Sequence, residues 1–151
     1  MSGIPLREAA LAAVAARLTA QIPTAVVERA RRAPVDTDVE TLPRLIVAGG
    51  AVEADETAEP GRTHYQIGFV VQGYAAGADD LAAEQALSLL HADIVAALAG
   101  WTPDAPGLGD ISERGAEIGL FAVEDSATPA GSFEARFALL AIAPTGGPFS
   151  S

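Results

Sequence analysis

The sequence has no cysteine and no lysine, and aromatic residues make up only 5% of it. The absence of cysteine excludes a disulfide scaffold, a thiol nucleophile and any cysteine-ligated zinc or iron–sulfur site. The absence of lysine removes the residue that glycine-rich phosphate loops direct at a nucleotide. The scarcity of aromatic rings disfavours the sugar platforms of glycosidases. These absences count against several common catalytic classes before any motif is considered.

Histidine is also scarce, and the two that occur form no recognisable site. His64 lies in a predicted strand and His91 in a predicted helix, and neither has the spacing that places two metal ligands on one helix face. No serine stands in a glycine-flanked turn between a strand and a helix. The sequence therefore predicts no catalytic residue, no cofactor site and no metal site, as expected of a protein that is not an enzyme.

Residues 36–40 place the acids Asp36, Asp38 and Glu40 at alternate positions, as the beginning of a calcium loop does. The rest of that loop is missing, because Thr41 stands where glycine is needed and Val47 where a glutamate is needed. An exposed acidic loop is the favoured interpretation, and weak binding of a divalent cation stays open.

The charge of the chain is strongly one-sided. Twenty acidic residues face nine basic ones, all of them arginine, for a formal net charge of -11. Such a surface repels phosphate, so specific binding to nucleic acid is not expected. Arg29, Arg31 and Arg32 form a local cluster. It fits either a solvated edge strand or a contact with a subunit or partner, since guanidinium groups pair well with carboxylates.

Neither a secretory signal nor a membrane span is expected. The first eight residues lack the charged region and the apolar run of a signal peptide. The alanine-rich segments carry Arg, Glu, Gln or Asp every few positions, which interrupts any long apolar run. We therefore expect a protein made in the cytoplasm that does not bind a membrane.

Half of the 151 residues are hydrophobic, enough to bury a core in one domain over residues 1–151. Residues 5–21 have the helical period, and a second helix opens at residues 77–80 and ends at Gly100. The apolar stripes of the two helices are predicted at Leu11, Val14, Leu18 and Ile22, and at Leu87, Leu90, Ile94 and Leu98.

Five segments are predicted to be strands. The first two are residues 24–32, after Pro23, and the short apolar run 44–51. The other three alternate, with apolar residues at Tyr65, Ile67, Phe69 and Val71, then at Ala116, Ile118, Leu120 and Ala122, and then at Phe133, Ala135, Phe137, Leu139 and Ala141. A turn is predicted at residues 128–131.

Three segments are predicted to connect these elements or to follow them. Residues 101–109, rich in proline and glycine, are predicted to be a loop. The acidic residues 52–61 are predicted to form a long hairpin arm or an exposed loop, and residues 144–151 a flexible C-terminal tail.

The predicted fold class is α+β. Its order is α-β-β-β-α-β-β, with an antiparallel or mixed β-sheet of about five strands and two helices packed on one face.

The chain resembles the tail terminator proteins of long-tailed phages and of phage-like gene transfer agents. The resemblance lies in helix and strand order with a few turn residues, over most of residues 5–143. It is carried by the opening helix at 6–22, the strand and loop at 26–36, the strand at 42–47, and the run from 62–65 through Gly73 and Tyr74 to the second helix.

This resemblance implies a structural virion protein at the head-proximal end of a tail, assembled in the cytoplasm of a bacterial host. It implies a homo-oligomeric ring, usually of six subunits, that caps the tail tube protein and joins it to the head–tail connector protein. DNA would pass through the channel without specific binding. Within such a ring, we expect Arg29, Arg31, Arg32 and Arg62 to make salt links to acidic neighbours.

Two other functions stay open. One is a different head–tail completion protein or a tail tube subunit, which would form long stacks. The other is a monomeric or dimeric small-ligand binding module or an enzyme of unknown reaction, which a well-formed apolar pocket with convergent polar groups would favour.

Overall fold

A computed structural model describes residues 3–121 and 128–150. The elements in chain order are β1 (Ile4–Pro5), α1 (Leu6–Gln21), β2 (Val26–Arg29), β3 (Arg44–Glu59), β4 (Arg62–Ala76), α2 (Asp80–Leu98), β5 (Leu108–Leu120), β6 (Ala130–Pro144) and β7 (Phe149–Ser150).

The main sheet has five strands in the order β2-β3-β4-β6-β5. Strands β2 and β3 are parallel, and every other neighbouring pair is antiparallel, so the sheet is mixed. This confirms the predicted α+β class. The structure adds a two-stranded antiparallel pair, β1 with β7, which no pattern in the sequence predicts.

Both helices form where the apolar stripes predict them. Helix α2 begins after Asp79, whose carboxylate accepts a hydrogen bond from the backbone N–H of Ala82 at 2.7 Å. Gly100 follows the helix with φ +78°, a conformation that suits glycine at a helix end. All eight apolar residues predicted for the two stripes are buried.

The core lies between the helices and one face of the sheet. Phe69 of β4 stacks on Phe137 of β6 with ring centroids 5.4 Å apart. Phe133 of β6 lies edge-on to His91 of α2 at 5.5 Å, so this face of the sheet points toward the helices. The alternation predicted for β4 and β6 is therefore confirmed: their predicted apolar residues point into the core.

The predicted apolar face of β5 is only partly buried. Ile118 is 44% exposed and Leu120 is 38% exposed, although both lie opposite core residues of β6. Alternation identifies the face of a strand but not how fully another layer covers it, and this end of the edge strand is covered only in part. Ala122 lies outside the described residues.

Several predicted boundaries were wrong. The strand predicted at residues 24–32 is shorter, because β2 spans only Val26–Arg29. The loop predicted to run to Gly109 ends earlier, because β5 begins at Leu108. The turn predicted at residues 128–131 is shorter, because Ala130 and Gly131 already belong to β6. A strand begins where hydrogen bonds to its neighbour begin, and a glycine does not prevent them.

The acidic segment 52–61 is the hairpin arm that was one of its two predicted forms. Strands β3 and β4 pair along the arm and meet at a turn containing Pro60 and Gly61, and Gly61 has φ +77°. The strand predicted to end at Ala51 therefore continues to Glu59 through a bulge between Gly49 and Val52.

Part of the predicted C-terminal tail is paired. Phe149 and Ser150 pair with Pro5 and Ile4, and the carbonyl of Pro148 accepts a hydrogen bond from the backbone N–H of Leu6 at 2.9 Å. The flexibility of residues 144–151 stays a prediction.

By length and composition alone, α2 could cross a membrane, with a mean hydropathy of 1.3 over an 18-residue window. The helix carries Glu84 and Asp93, and its apolar stripe packs on the sheet. The core helix of a folded domain meets the same criterion.

Candidate assembly surfaces

The face of the sheet opposite the helices is the first candidate surface, and we call it the open face. Its side chains alternate with the core residues of the same strands and are both polar and apolar; the apolar ones include Ile46, Val70, Leu140 and Ile142. On β4 it carries Gln66 and Gln72, and on β6 it carries Glu134 and Arg136. These polar side chains are half-buried or exposed, and Leu140 beside them is 41% exposed, so the open face is a mixed surface rather than a second apolar core.

The arm, residues 48–59 of β3 with the paired part of β4, is the second candidate surface. Its acidic residues are all exposed: Glu53, Asp55, Glu56 and Glu59. Near the tip, Nε2 of His64 lies 3.2 Å from Glu59, and Nε of Arg62 lies 3.7 Å from the other oxygen of that carboxylate. The two basic side chains leave the rest of the arm negatively charged.

The two outer strands of the sheet leave backbone groups unpaired. Strand β2 pairs with β3 only from Arg44 to Val47, so residues 48–59 have no sheet neighbour on that side in the described structure. Among the described residues, strand β5 pairs only with β6, and the loop at residues 100–101 covers its other side at Ile111. Residues 112–120 of β5 are therefore a second free edge. Free edges are templates for pairing with another chain.

Arg31 is the centre of an ion-pair network within the chain. Its guanidinium donates to the carboxylate of Glu40 at 2.5 and 2.7 Å and to Glu28 at 2.9 Å. Glu28 also accepts a hydrogen bond from Arg44 at 2.8 Å. The network links β2 and β3 to the loop that follows β2. The sequence did not indicate this network, because its members Glu28, Arg31, Glu40 and Arg44 are separated by no regular interval along the chain.

The network changes the acidity of its carboxyl groups. The hydrogen bonds from Arg31, followed by the backbone N–H of Asp36, lower the pKa of Glu40 from 4.5 to about 2. Hydrogen bonds from Arg44 and Arg31 lower the pKa of Glu28 below its ordinary value. Both carboxylates are therefore held in the ionised form near neutral pH.

The four arginines predicted to contact neighbours differ in how many of their guanidinium donors remain free. Arg29 makes a two-bond pair with Glu8 of α1 at 2.7 and 2.9 Å, and Arg31 is held in the network. Arg32 is exposed and has no ion pair among the described residues, and Arg62 has only the long pair with Glu59. Contacts of these arginines between subunits stay a prediction, and Arg32 and Arg62 have the most free donors.

The acidic loop at residues 36–40 uses its oxygens internally. Asp36 accepts from the backbone N–H of Asp38 at 3.1 Å, while Glu40 accepts from the backbone N–H of Asp36 at 2.7 Å and also binds Arg31. In the described part of the chain, no group of three or more His, Asp or Glu side chains is placed to hold a metal ion.

Neither histidine lies in a catalytic arrangement among the described residues. His91 packs against the ring of Phe133, and His64 has the exposed Glu59 as its partner. No buried side-chain oxygen or nitrogen in the described parts lacks a hydrogen-bond partner. A ligand-binding site often contains such unpaired polar groups, which pair with the ligand when it binds. The described residues contain none.

Comparison with known proteins shows a likeness in fold. No protein-family model and no curated protein matches the chain. The fold is similar to that of a chain in the solved structure of the virion of a native gene transfer agent particle. The TM-score is 0.54 at 16% sequence identity, and the match covers 88% of this chain and 94% of the other. At this identity the likeness establishes a shared fold.

Proposed function

We propose that the chain is a structural subunit of a phage-like virion. The observation that carries the proposal is the shared fold with a chain of the gene transfer agent virion, because the match includes nearly all of both chains. A likeness of that extent describes a whole subunit rather than a common motif inside a larger protein. Fold alone does not determine function, so the surfaces of this chain must support the same role.

The free edges support self-assembly. A sheet with two unpaired edges either protects them from other chains or pairs them with other chains. When the two edges lie on opposite sides of a subunit, each copy can offer one edge to each of two neighbours. Such head-to-tail contacts produce a closed ring if the rotation between copies closes.

Within the virion, the specific role we propose is the tail terminator. The chain, as one domain over residues 1–151, forms a ring of six copies at the head-proximal end of the tail. One side of the ring caps the tube protein and the other meets the head connector. Arg32 and Arg62 are the candidates for salt links to those neighbours, because their guanidinium groups have the most free donors.

The charge of the subunit suits a channel for DNA. A net charge of -11 per copy removes the gain from counterion release that makes proteins adhere to phosphate backbones. A ring of such subunits lets DNA pass without holding it. The same charge argues against a packaging role that depends on tight binding to DNA.

Binding to tail tubes tests the terminator role. Tubes polymerised from a tail tube protein of the same virion would be mixed with the purified protein and imaged by electron microscopy. We expect a ring at one end of each tube. Unbound tubes would contradict the terminator role, and filaments of the chain alone would indicate a tube subunit instead.

A further inference from the structure

The two free edges share an unusual distribution of side chains. On the arm, Val52 lies opposite Ile67 and Ala54 opposite Tyr65, and both partners pack in or against the core. Val52 and Ala54 therefore point to the helix side of the sheet, since opposite residues of an antiparallel pair share a face. Near this edge, the helix side of the arm carries apolar residues.

The edge of β5 has the same character. Ala116, Ile118 and Leu120 lie opposite Ala135, Phe133 and Gly131 of β6. A β-carbon on Gly131 would lie 2.6 Å from the side chain of Leu87 in α2, which identifies this face as the helix side. Ile118 and Leu120 are nevertheless 44% and 38% exposed. An edge protected against pairing carries charge on this face. In β5 that charge is limited to Glu113, opposite Phe137, and residues 116–120 are apolar on this side.

We propose that residues 112–120 of β5 in one copy add as an antiparallel strand to residues 48–59 of β3 in the next copy, so that Ile118 and Leu120 pack beside Val52. The pairing rests on the proposed ring, and it identifies the surfaces that form each contact. The strand that adds to the edge of β3 belongs to a second copy of this chain.

The strand directions of the sheet permit this pairing. Going from β3 through β4 and β6 to β5, each step is antiparallel, so β3 and β5 run in opposite directions. Copies related by rotation about one axis therefore bring β5 of one copy antiparallel to β3 of the next. The nine free residues of β5 fit within the twelve free residues of β3, and the sheet continues across every contact without reversing a copy.

An apolar cleft lies beside the accepting edge. It has a volume of about 150 Å³ and is lined by Pro5, Leu6, Arg7, Val52, Tyr65, Ile67 and Pro148. An engineered apolar cavity of roughly 150 Å³ holds a benzene molecule, so this cleft has room for a branched aliphatic side chain. Burial of such a side chain contributes to association because its surface leaves water.

The pairing also determines which face lines the channel. The helices need the larger outer circumference of a ring, so the open face turns inward. Glu53 and Asp55 of the arm and Glu117 of β5 lie on the open face, opposite Gln66, His64 and Glu134. These three charges therefore point to the channel, while Val52, Ile118 and Leu120 meet in the contact.

Cysteine cross-linking tests the pairing, because the native chain contains no cysteine. The variants combine Val52→Cys with Ala116→Cys, Ile118→Cys or Leu120→Cys. Opposite β-carbons in a pair lie about 4.5–5.5 Å apart, and a disulfide forms only at such short range. After oxidation, we expect at least one combination to give a ladder of covalent multimers on a denaturing, non-reducing gel. Val52→Cys with Leu89→Cys, an exposed residue of α2, should give none.

A charge substitution supplies the second test. Ile118→Arg should abolish rings in native mass spectrometry while the circular dichroism spectrum and melting stay those of a folded chain. Leu89→Arg, also at an exposed apolar residue, should leave the ring intact. If the native chain forms rings but no cysteine combination cross-links and Ile118→Arg still assembles, the pairing is wrong and the proposed ring stands. If the native chain forms no ring, the proposed function fails together with the pairing.

Discussion

Arg31 illustrates what a sequence conceals at the scale of single residues. The cluster of Arg29, Arg31 and Arg32 is visible in the sequence, but their acidic partners are not. In the structure, Arg29 forms an ion pair with Glu8, and Arg31 forms ion pairs with Glu28 and Glu40. Arg32 is exposed. Charge counting predicts that the arginines find acids. It cannot predict whether those acids belong to the same chain.

The Arg31 network predicts a dependence of stability on acid. Because the pKa of Glu40 falls from 4.5 to about 2 on folding, its stabilising effect is complete above about pH 4.5 and is lost as the pH falls to about 2. Arg31→Ala should lower the urea midpoint at pH 7 and lower it much less at pH 2. Arg32→Ala, a matched change without an ion pair, should change neither midpoint. Equal effects of the two substitutions at pH 7 would contradict the network.

At the scale of elements, periodicity made the helices and the central strands predictable. The stripe of α1 and the alternation in β4 and β6 are long, and their apolar residues are buried in one shared core. The start of β5 and the pairing of β1 with β7 were not predictable. The start of β5 lies among prolines and glycines, and the pair of β1 with β7 joins two dipeptides from opposite ends of the chain. Short strands exist only through contacts distant in sequence.

The beginning of α2 provides a prediction at this scale. The carboxylate of Asp79 caps the helix by accepting from the backbone N–H of Ala82. Asp79→Ala should lower the free energy of unfolding by about 0.5–2 kcal/mol, since it leaves a helix N–H without its partner. Gln85→Ala, at an exposed position inside the same helix, should change it by less than about 0.5 kcal/mol. Urea unfolding at one protein concentration measures both, and equal losses would contradict the capping role.

At the scale of the molecule, the subunit is a half-covered sheet with two free edges and a negatively charged arm. The sequence predicted the sheet, the layer of helices and the charge. The free edges could not be predicted, because which strands lie outermost follows from strand order rather than from any one segment. The exposed Ile118 and Leu120 became informative only when that order placed them beside an unpaired edge.

The central claim is that this chain assembles with copies of itself into a closed ring. Native mass spectrometry of the purified chain, at micromolar concentration and moderate salt, tests it most directly. The account predicts one dominant species at six times the subunit mass of 15.3 kDa, without a continuous series of larger species. A spectrum of monomer alone, unchanged as the protein concentration rises, would contradict it.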